Sequence, residues 1–266
     1  MQNNIVKILF VGDIVGKPAR DFLHLKIPKI RREKNIDLVV ANAENVAGGS
    51  GITEKTAREL FLSEIDLITL GDHSFKKKEA EQVLSTMDVI RPLNYGDAAP
   101  GRGYIIKEKK IGSQKIRFAV INLLGRVFMQ PVDCPFKAVR TLLETISSKA
   151  DIIIVDMHAE ATSEKMAMGY FLAGKVSAVI GTHTHIPTSD EKIIDQHTAY
   201  ITDVGMAGSL DSILGRKKED VIEKFLTNTP VRFNVAENEV GMQGVIVDID
   251  FTSGKAVSIE RVLAKS

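Results

Sequence analysis

The chain has 266 residues, 44% hydrophobic and 26% charged, a composition that excludes disorder and fits one globular domain spanning 1–266, since single α/β domains routinely reach about 200 to 250 residues. Its 35 Lys and Arg nearly cancel 34 Asp and Glu, leaving +1, so no net field draws it to nucleic acid or to an anionic membrane, and neither is an expected partner. A single cysteine, Cys134, excludes intramolecular disulfides and multi-cysteine zinc sites and points to a reducing compartment. The opening MQNNIVKILFVGDIVG holds an apolar run too short for a signal sequence, and no run approaches the roughly 18 residues of a membrane span. The expected location is cytoplasmic.

In chain order the pattern alternates between short β-branched runs and amphipathic stretches. KILFVGD is a strand ending at Asp13; Pro18 then stands where a first helical residue belongs, and Phe22, Leu23, Ile27 and Ile30 mark one face of a helix to about Lys34. DLVVANAEN is the next strand, and Thr53, Thr56 and Glu59 open a second helix before Leu60, Phe61 and Leu62. DLITLGDH follows, then a third helix over KKKEAEQVLSTM and a loop from Arg91 to Tyr104 whose two Pro and three Gly place it over one end of a sheet, where it could gate a site. YIIKEKKIGSQKIRFAVINLLG reads as a hairpin. Helices fit PFKAVRTLLETISSK, TSEKMAMGYFLAG and KKEDVIEKFL; strands fit DIIIVDMH, SAVIGTHTH and AYITDVG; and GMQGVIVDIDFTSGKAVSIERVL is a second hairpin. Continuous apolar strands are buried on both faces, and alternation with helices means a layered α/β architecture with mixed sheets.

The chemistry collects at strand tips. Of six histidines, His73, His158, His183 and His185 directly follow apolar strands, whereas His24 and His197 do not. Asp13, Glu44, Asn45 and Asp72 occupy the same kind of position. Carboxyl ends of strands are where open α/β sheets bind ligands, and carboxylates mixed with imidazoles suit Mn, Fe or Zn better than Ca. The H-x-H of GTHTH, if extended, aims both rings the same way. GDIVGKP has three residues rather than four between its glycines and a Pro where Ser or Thr should meet magnesium, which argues against a phosphate loop. Nor does GTHTHIPTSD match the H-x-H-x-D-H of metallo-β-lactamases. Cys134, beside Pro135 and without a paired His, reads as a helix-entry residue.

With Asp13, Glu44, GDH, DMH and GTHTH in this order, and with the blocks NAENVAGGSGIT, RPLNY, HAEATSEK and YITDVGMAG, the chain resembles the calcineurin-like metallophosphoesterases and, within them, the YmdB-like bacterial branch. The resemblance implies two packed mixed β-sheets flanked by helices. It implies two divalent metal ions, Fe or Mn: Asp13, Glu44, Asn45 and His185 around one, Glu44, Asp72, His158 and His183 around the other, with Glu44 bridging. His73 would be the general acid rather than a ligand. The implied activity is phosphodiester hydrolysis, with small 2',3'-cyclic nucleotides among the substrates; the alternatives are a phosphomonoesterase or a regulatory module that holds metal and nucleotide with little turnover. Homo-oligomers are the common state of soluble enzymes, and one is expected here. One departure stands out: the family's third block reads GNH, whereas this chain has Asp72, which either weakens the centre as a Lewis acid by adding negative charge or is protonated and imitates the amide.

Overall fold

The structure, a computed structural model, describes residues 4–266. In chain order these form β1 (Ile5–Val11), β2 (Asp13–Ile14), α1 (Gly16–Lys34), β3 (Leu38–Asn42), α2 (Glu54–Leu62), β4 (Leu67–Thr69), α3 (Ala80–Thr86), β5 (Val89–Ile90), β6 (Tyr104–Ile111) and β7 (Gln114–Leu124). They continue as α4 (Pro135–Ile146), β8 (Ile152–His158), α5 (Thr162–Leu172), β9 (Ala178–Thr182), β10 (Lys192–Ile194), β11 (Thr198–Ile201), β12 (Met206–Ser209), α6 (Lys218–Thr227), β13 (Val240–Asp250) and β14 (Lys255–Lys265).

Two mixed sheets result. The first runs β2-β12-β13-β1-β3-β4-β5 with β14 paired to β13; the second runs β10-β11-β9-β8-β7-β6. Within the first, β1, β3, β4 and β5 are parallel, while β13 lies antiparallel to β1. In the second, β7, β8, β9 and β11 are parallel, and the two predicted hairpins are β6–β7 and β13–β14.

Alternation along the strands assembles the layers. Ile8, Phe10, Leu38 and Val40 face Phe118, Val120, Ile152, Ile154 and Ile180 in a core between the sheets. The opposite face of the first sheet, Leu9, Val11, Val39 and Ala41, packs on Phe22, Leu23 and Ile27 of α1 and Leu60 of α2. On the outside of the second sheet, Ile121, Leu123 and Val155 meet Val139 and Leu143 of α4 and Met168 and Leu172 of α5. The order is therefore helix, sheet, sheet, helix, as the strands' double-faced hydrophobicity requires.

Some boundaries move. Helix α1 begins at Gly16, so Pro18 sits within its first turn rather than at its first residue, and Pro28 is accommodated inside it. Thr53 caps α2 through a reciprocal box with Thr56, but Leu62 points to solvent, 74% exposed. Helix α3 is shorter than predicted because residues 76–79 form a turn off the His73 loop. The loop from Arg91 to Tyr104 is stitched down: the Arg91 guanidinium donates to the carbonyls of Pro92, Leu93, Ala99 and Pro100. Cys134 directly precedes Pro135 at the start of α4.

Candidate metal centre

The inward faces of the central strands turn polar toward their carboxyl ends. After Val40, Leu67, Ile154 and Ile180, the next residues on the same faces are Asn42, Thr69, Asp156 and Thr182, all fully buried. Asp156 joins them: its carboxylate accepts from Thr69 Oγ1 at 2.5 Å, Thr182 Oγ1 at 2.7 Å and Asn42 Nδ2 at 3.0 Å. Burial pushes this carboxyl up to about 6 against the opposing pull of His158 and the three donors. One acid thus ties strands of both sheets together just beneath the tips.

At the tips, single atoms of Glu44, Asp72, His158 and His183 lie within 4.8 Å of one another. His158 Nε2 is the hub, 3.2 Å from Glu44 Oε2, 3.2 Å from Asp72 Oδ1 and 3.1 Å from His183 Nδ1. The close packing demands Gly71, where a Cβ would stand 2.3 Å from His158 Nε2 and 2.4 Å from Glu44 Oε2. Beside this group, Asn45 Nδ2 is 3.0 Å from Glu44 Oε1 and 3.2 Å from His185 Nε2, which is 3.8 Å from Asp13 Oδ1. Glu44 therefore stands between two donor sets, one oxygen toward each.

Proton bookkeeping indicates what this arrangement suits. The single hydroxyl proton of Thr182 goes to Asp156, and both amide protons of Asn42 go to Leu70 O and Asp156, so His158 Nδ1, 2.8 Å from Thr182 Oγ1, must be the donor there. His158 Nε2 is then left to face inward. His183 Nε2 lies 3.2 Å from Glu160 Oε2, an outward carboxylate partner that leaves Nδ1 inward, and His185 Nδ1 donates to Leu214 O at 3.1 Å, leaving Nε2 inward. Outer partners of this kind fix ligand tautomers in metal sites. Asp13 Oδ2 accepts from His183 N at 3.1 Å, while Oδ1 is buried without a hydrogen-bond partner. Inward lone pairs converging on carboxylates, with an orphaned buried oxygen alongside, fit divalent cations.

The electrostatics agree in direction. Burial works to raise the Glu44 carboxyl, but His158 and His73 hold it well below its usual range. Asp72 is likewise lowered, its burial outweighed mainly by the hydrogen bond from His158; this favours the ionised form and argues against a protonated mimic of an amide. Burial opposes protonation of His158, yet Glu44 and Asp72 lift it well above its usual value. Burial and the neighbouring His158 push His183 down to about 4. The carboxylates at 3.2 Å thus favour a proton on His158 Nε2, the same position at which a cation would be held.

His73 stands at the rim, its side chain 28% exposed. Its backbone N–H donates to Glu44 Oε2 at 2.9 Å, its Nδ1 lies 2.8 Å from Asn45 Oδ1, and its Nε2 lies 3.7 Å from Asp72 Oδ2. Burial would lower this imidazole, but Glu44 and then Asp72 raise it above the ordinary value. Asn45 presents its amide nitrogen to Glu44 and His185 and its oxygen to His73; holding an ion through oxygen takes a half-turn of the amide, which then offers its N–H to His73 Nδ1. Tyr95, from the stitched loop, donates to Gly71 O at 3.4 Å and packs edge-on to Phe75 at 5.5 Å. His24 instead faces Ser63 Oγ, and His197 lies in the turn between β10 and β11, so neither joins the cluster.

The extended geometry expected for H-x-H is wrong. Strand β9 stops at Thr182, and His183 and His185 have left-handed backbones, φ 101° and 63°, each strained by roughly 1–3 kcal/mol. The rings meet opposite sides of Glu44 because of this turn, not because of strand alternation. Glu160, Asp156 and Thr182 were also missed as supporting residues; the only hint was their position within or next to the DMHAE and GTHTH tips.

A two-sheet sandwich whose strand tips gather carboxylates and imidazoles at one end defines a metallophosphoesterase. The chain belongs to the YmdB-like protein family, whose model matches residues 9–262. It is 44% identical over 259 residues to the 2',3'-cyclic-nucleotide 2'-phosphodiesterase of Bacillus subtilis (strain 168), covering 97% of each chain. Among solved structures it is similar to a novel phosphatase from Mycoplasma pneumoniae, with TM-score 0.92 and 32% identity over 100% of this chain and 95% of that one. It is also similar to a hypothetical protein from Thermus thermophilus, with TM-score 0.90 and 38% identity over 98% of this chain and 100% of that one. No helix among the described residues is long and apolar enough to cross a membrane.

Proposed function

We propose that the chain is a dinuclear metal-dependent phosphodiesterase that opens small 2',3'-cyclic nucleotides at the 2'-oxygen. The observation that carries this reading is the Glu44, Asp72, His158 and His183 cluster, with the orphaned Asp13 oxygen on the far side of Glu44. The named activity of the Bacillus subtilis relative supplies the substrate class. In this reading Asp13, Glu44, Asn45 and His185 hold one ion and Glu44, Asp72, His158 and His183 the other, with Fe or Mn matching the mixed carboxylate and imidazole donors.

Divalent ions bound by these residues would supply charge neutralisation at the phosphoryl oxygens and a water activated near neutral pH. The chain's own residues do the rest. Thr182, Glu160 and Leu214 orient the three imidazoles, and His73 carries a proton at the open edge. Water attacks phosphorus in line, the P–O2' bond breaks, and the leaving oxygen takes the proton from His73, giving a 3'-phosphomonoester.

Metal-stripped protein reconstituted anaerobically with Mn or Fe is expected to bind about two ions and to hydrolyse 2',3'-cyclic AMP in an EDTA-sensitive manner. Bound nucleotide retained intact over hours would instead indicate a regulatory module, and preference for simple aryl monoesters over diesters a phosphomonoesterase. A second expectation concerns the departure at Asp72. Two divalent ions with three carboxylates leave less positive charge than with two, so Asp72→Asn should raise turnover several-fold at unchanged metal content. Equal or lower turnover would show that Asp72 does not attenuate the centre.

A further inference from the structure

Lys165 of α5 and Asp203, just after β11, form the most deeply buried lysine-carboxylate pair among the described residues, 1% and 0% exposed at 2.8 Å. Neither belongs to the proposed donor set. Isolated buried pairs are weak evidence for stability, because desolvation offsets their attraction, so their other contacts matter. Lys165 Nζ also donates to Thr182 O at 3.1 Å, the last residue of β9. Asp203 Oδ2 accepts from Thr184 N at 3.0 Å and Thr184 Oγ1 at 2.8 Å, while Oδ1 accepts from Gly205 N at 2.9 Å. The pair thus grips both the entry and the middle of the left-handed turn that carries His183 and His185.

We propose that the Lys165–Asp203 pair is a positioning clamp for the metal centre: it holds Thr182 and Thr184 so that His183 and His185 reach opposite sides of Glu44. The inference rests on the dinuclear reading above. Left without the clamp, the turn relaxes toward ordinary backbone angles and the two rings lose their shared register, so the effect falls on ion affinity before it falls on the fold.

The double variant Lys165→Met/Asp203→Asn removes both charges together and keeps an amide oxygen for Thr184 N at the expense of the bond from Gly205 N, so no lone charge is buried. Calorimetric titration of the metal-free protein with Mn2+ is expected to show affinity about 10- to 100-fold weaker than wild type, the range typical of residues that orient ligands. The melting temperature of the metal-free protein should stay close to that of wild type. Thr184→Val, which leaves the pair intact and removes one of its hydrogen bonds, should weaken Mn2+ binding in the same direction and serves if the double variant does not fold. Unchanged Mn2+ affinity, with or without a lower melting temperature, would overturn the clamp and leave the metal centre standing. No uptake of Mn2+ by the wild-type protein would overturn the metal reading and the clamp with it.

Discussion

Replacing His158 with alanine is expected to strip bound metal from the protein and lower turnover by at least about 10³-fold, since Lewis-acid stabilisation worth several kcal/mol is lost at about 1.36 kcal/mol per factor of ten. The size of the effect follows from position. His158 is fully buried at the end of β8, and its Nε2 meets Glu44, Asp72 and His183 within 3.2 Å. No neighbouring side chain can take over, because Thr182 and Asp156 beneath it are already saturated by each other and by Asn42 and Thr69. The metal-free protein should also lose stability, because Glu44 Oε2 and Asp72 Oδ1 each lose a partner at 3.2 Å. A related pH effect has a definite sign: His158 is lifted above its usual value, so protons compete with metal to higher pH than for a free imidazole, and Mn2+ affinity should fall as pH falls. Metal analysis and turnover of His158→Ala decide the matter; about two ions retained with normal activity would refute its role as a ligand.

The second large effect is at His73. His73→Ala should cost about 10² to 10⁴ in turnover, the range for loss of a general acid, while metal content stays near that of wild type. The contrast with His158 comes from exposure and contacts: His73 is partly open at the rim and is absent from the four-residue donor cluster. In the metal-free chain its imidazole is raised by Glu44 and Asp72 against the effect of burial; a general acid is in any case lost as pH rises through its pKa. The alkaline fall in kcat should therefore flatten in His73→Ala. A diester with a good aryl leaving group, which needs no protonation, should be affected less than a cyclic nucleotide. Metal loss equal to that of His158→Ala would instead make His73 a ligand.

The layered fold was legible because its strands are apolar on both faces, and every such run predicted became a strand. The site was legible as far as the residues that end those strands, since each tip delivers its polar group to one edge. What the sequence did not disclose depends on groups far apart in the chain. Asp156 is a single acid in an apolar run until Asn42, Thr69 and Thr182 are seen around it. Glu160 is one exposed acid among many until His183 turns toward it. The strained turn at His183 and His185 could not be inferred from H-x-H, because local spacing favours an extended reading, whereas the turn is accompanied by tertiary contacts of Thr184 with Asp203, of His183 with Asp13 and of His185 with Leu214.

The pairing of β1 with β13, in which Ile5 lies opposite Asp250, bears on when the protein can become active. Asp13 follows closely on β1, yet that strand is flanked by a partner, β13, that lies far along the chain and is translated long after it. Such long-range pairing is slow to form because its loop-closure entropy is met before contacts reward it. Assembly of the tip that holds Asp13 is accordingly a late event, and a polypeptide truncated before β13 should fail to hold that tip in place.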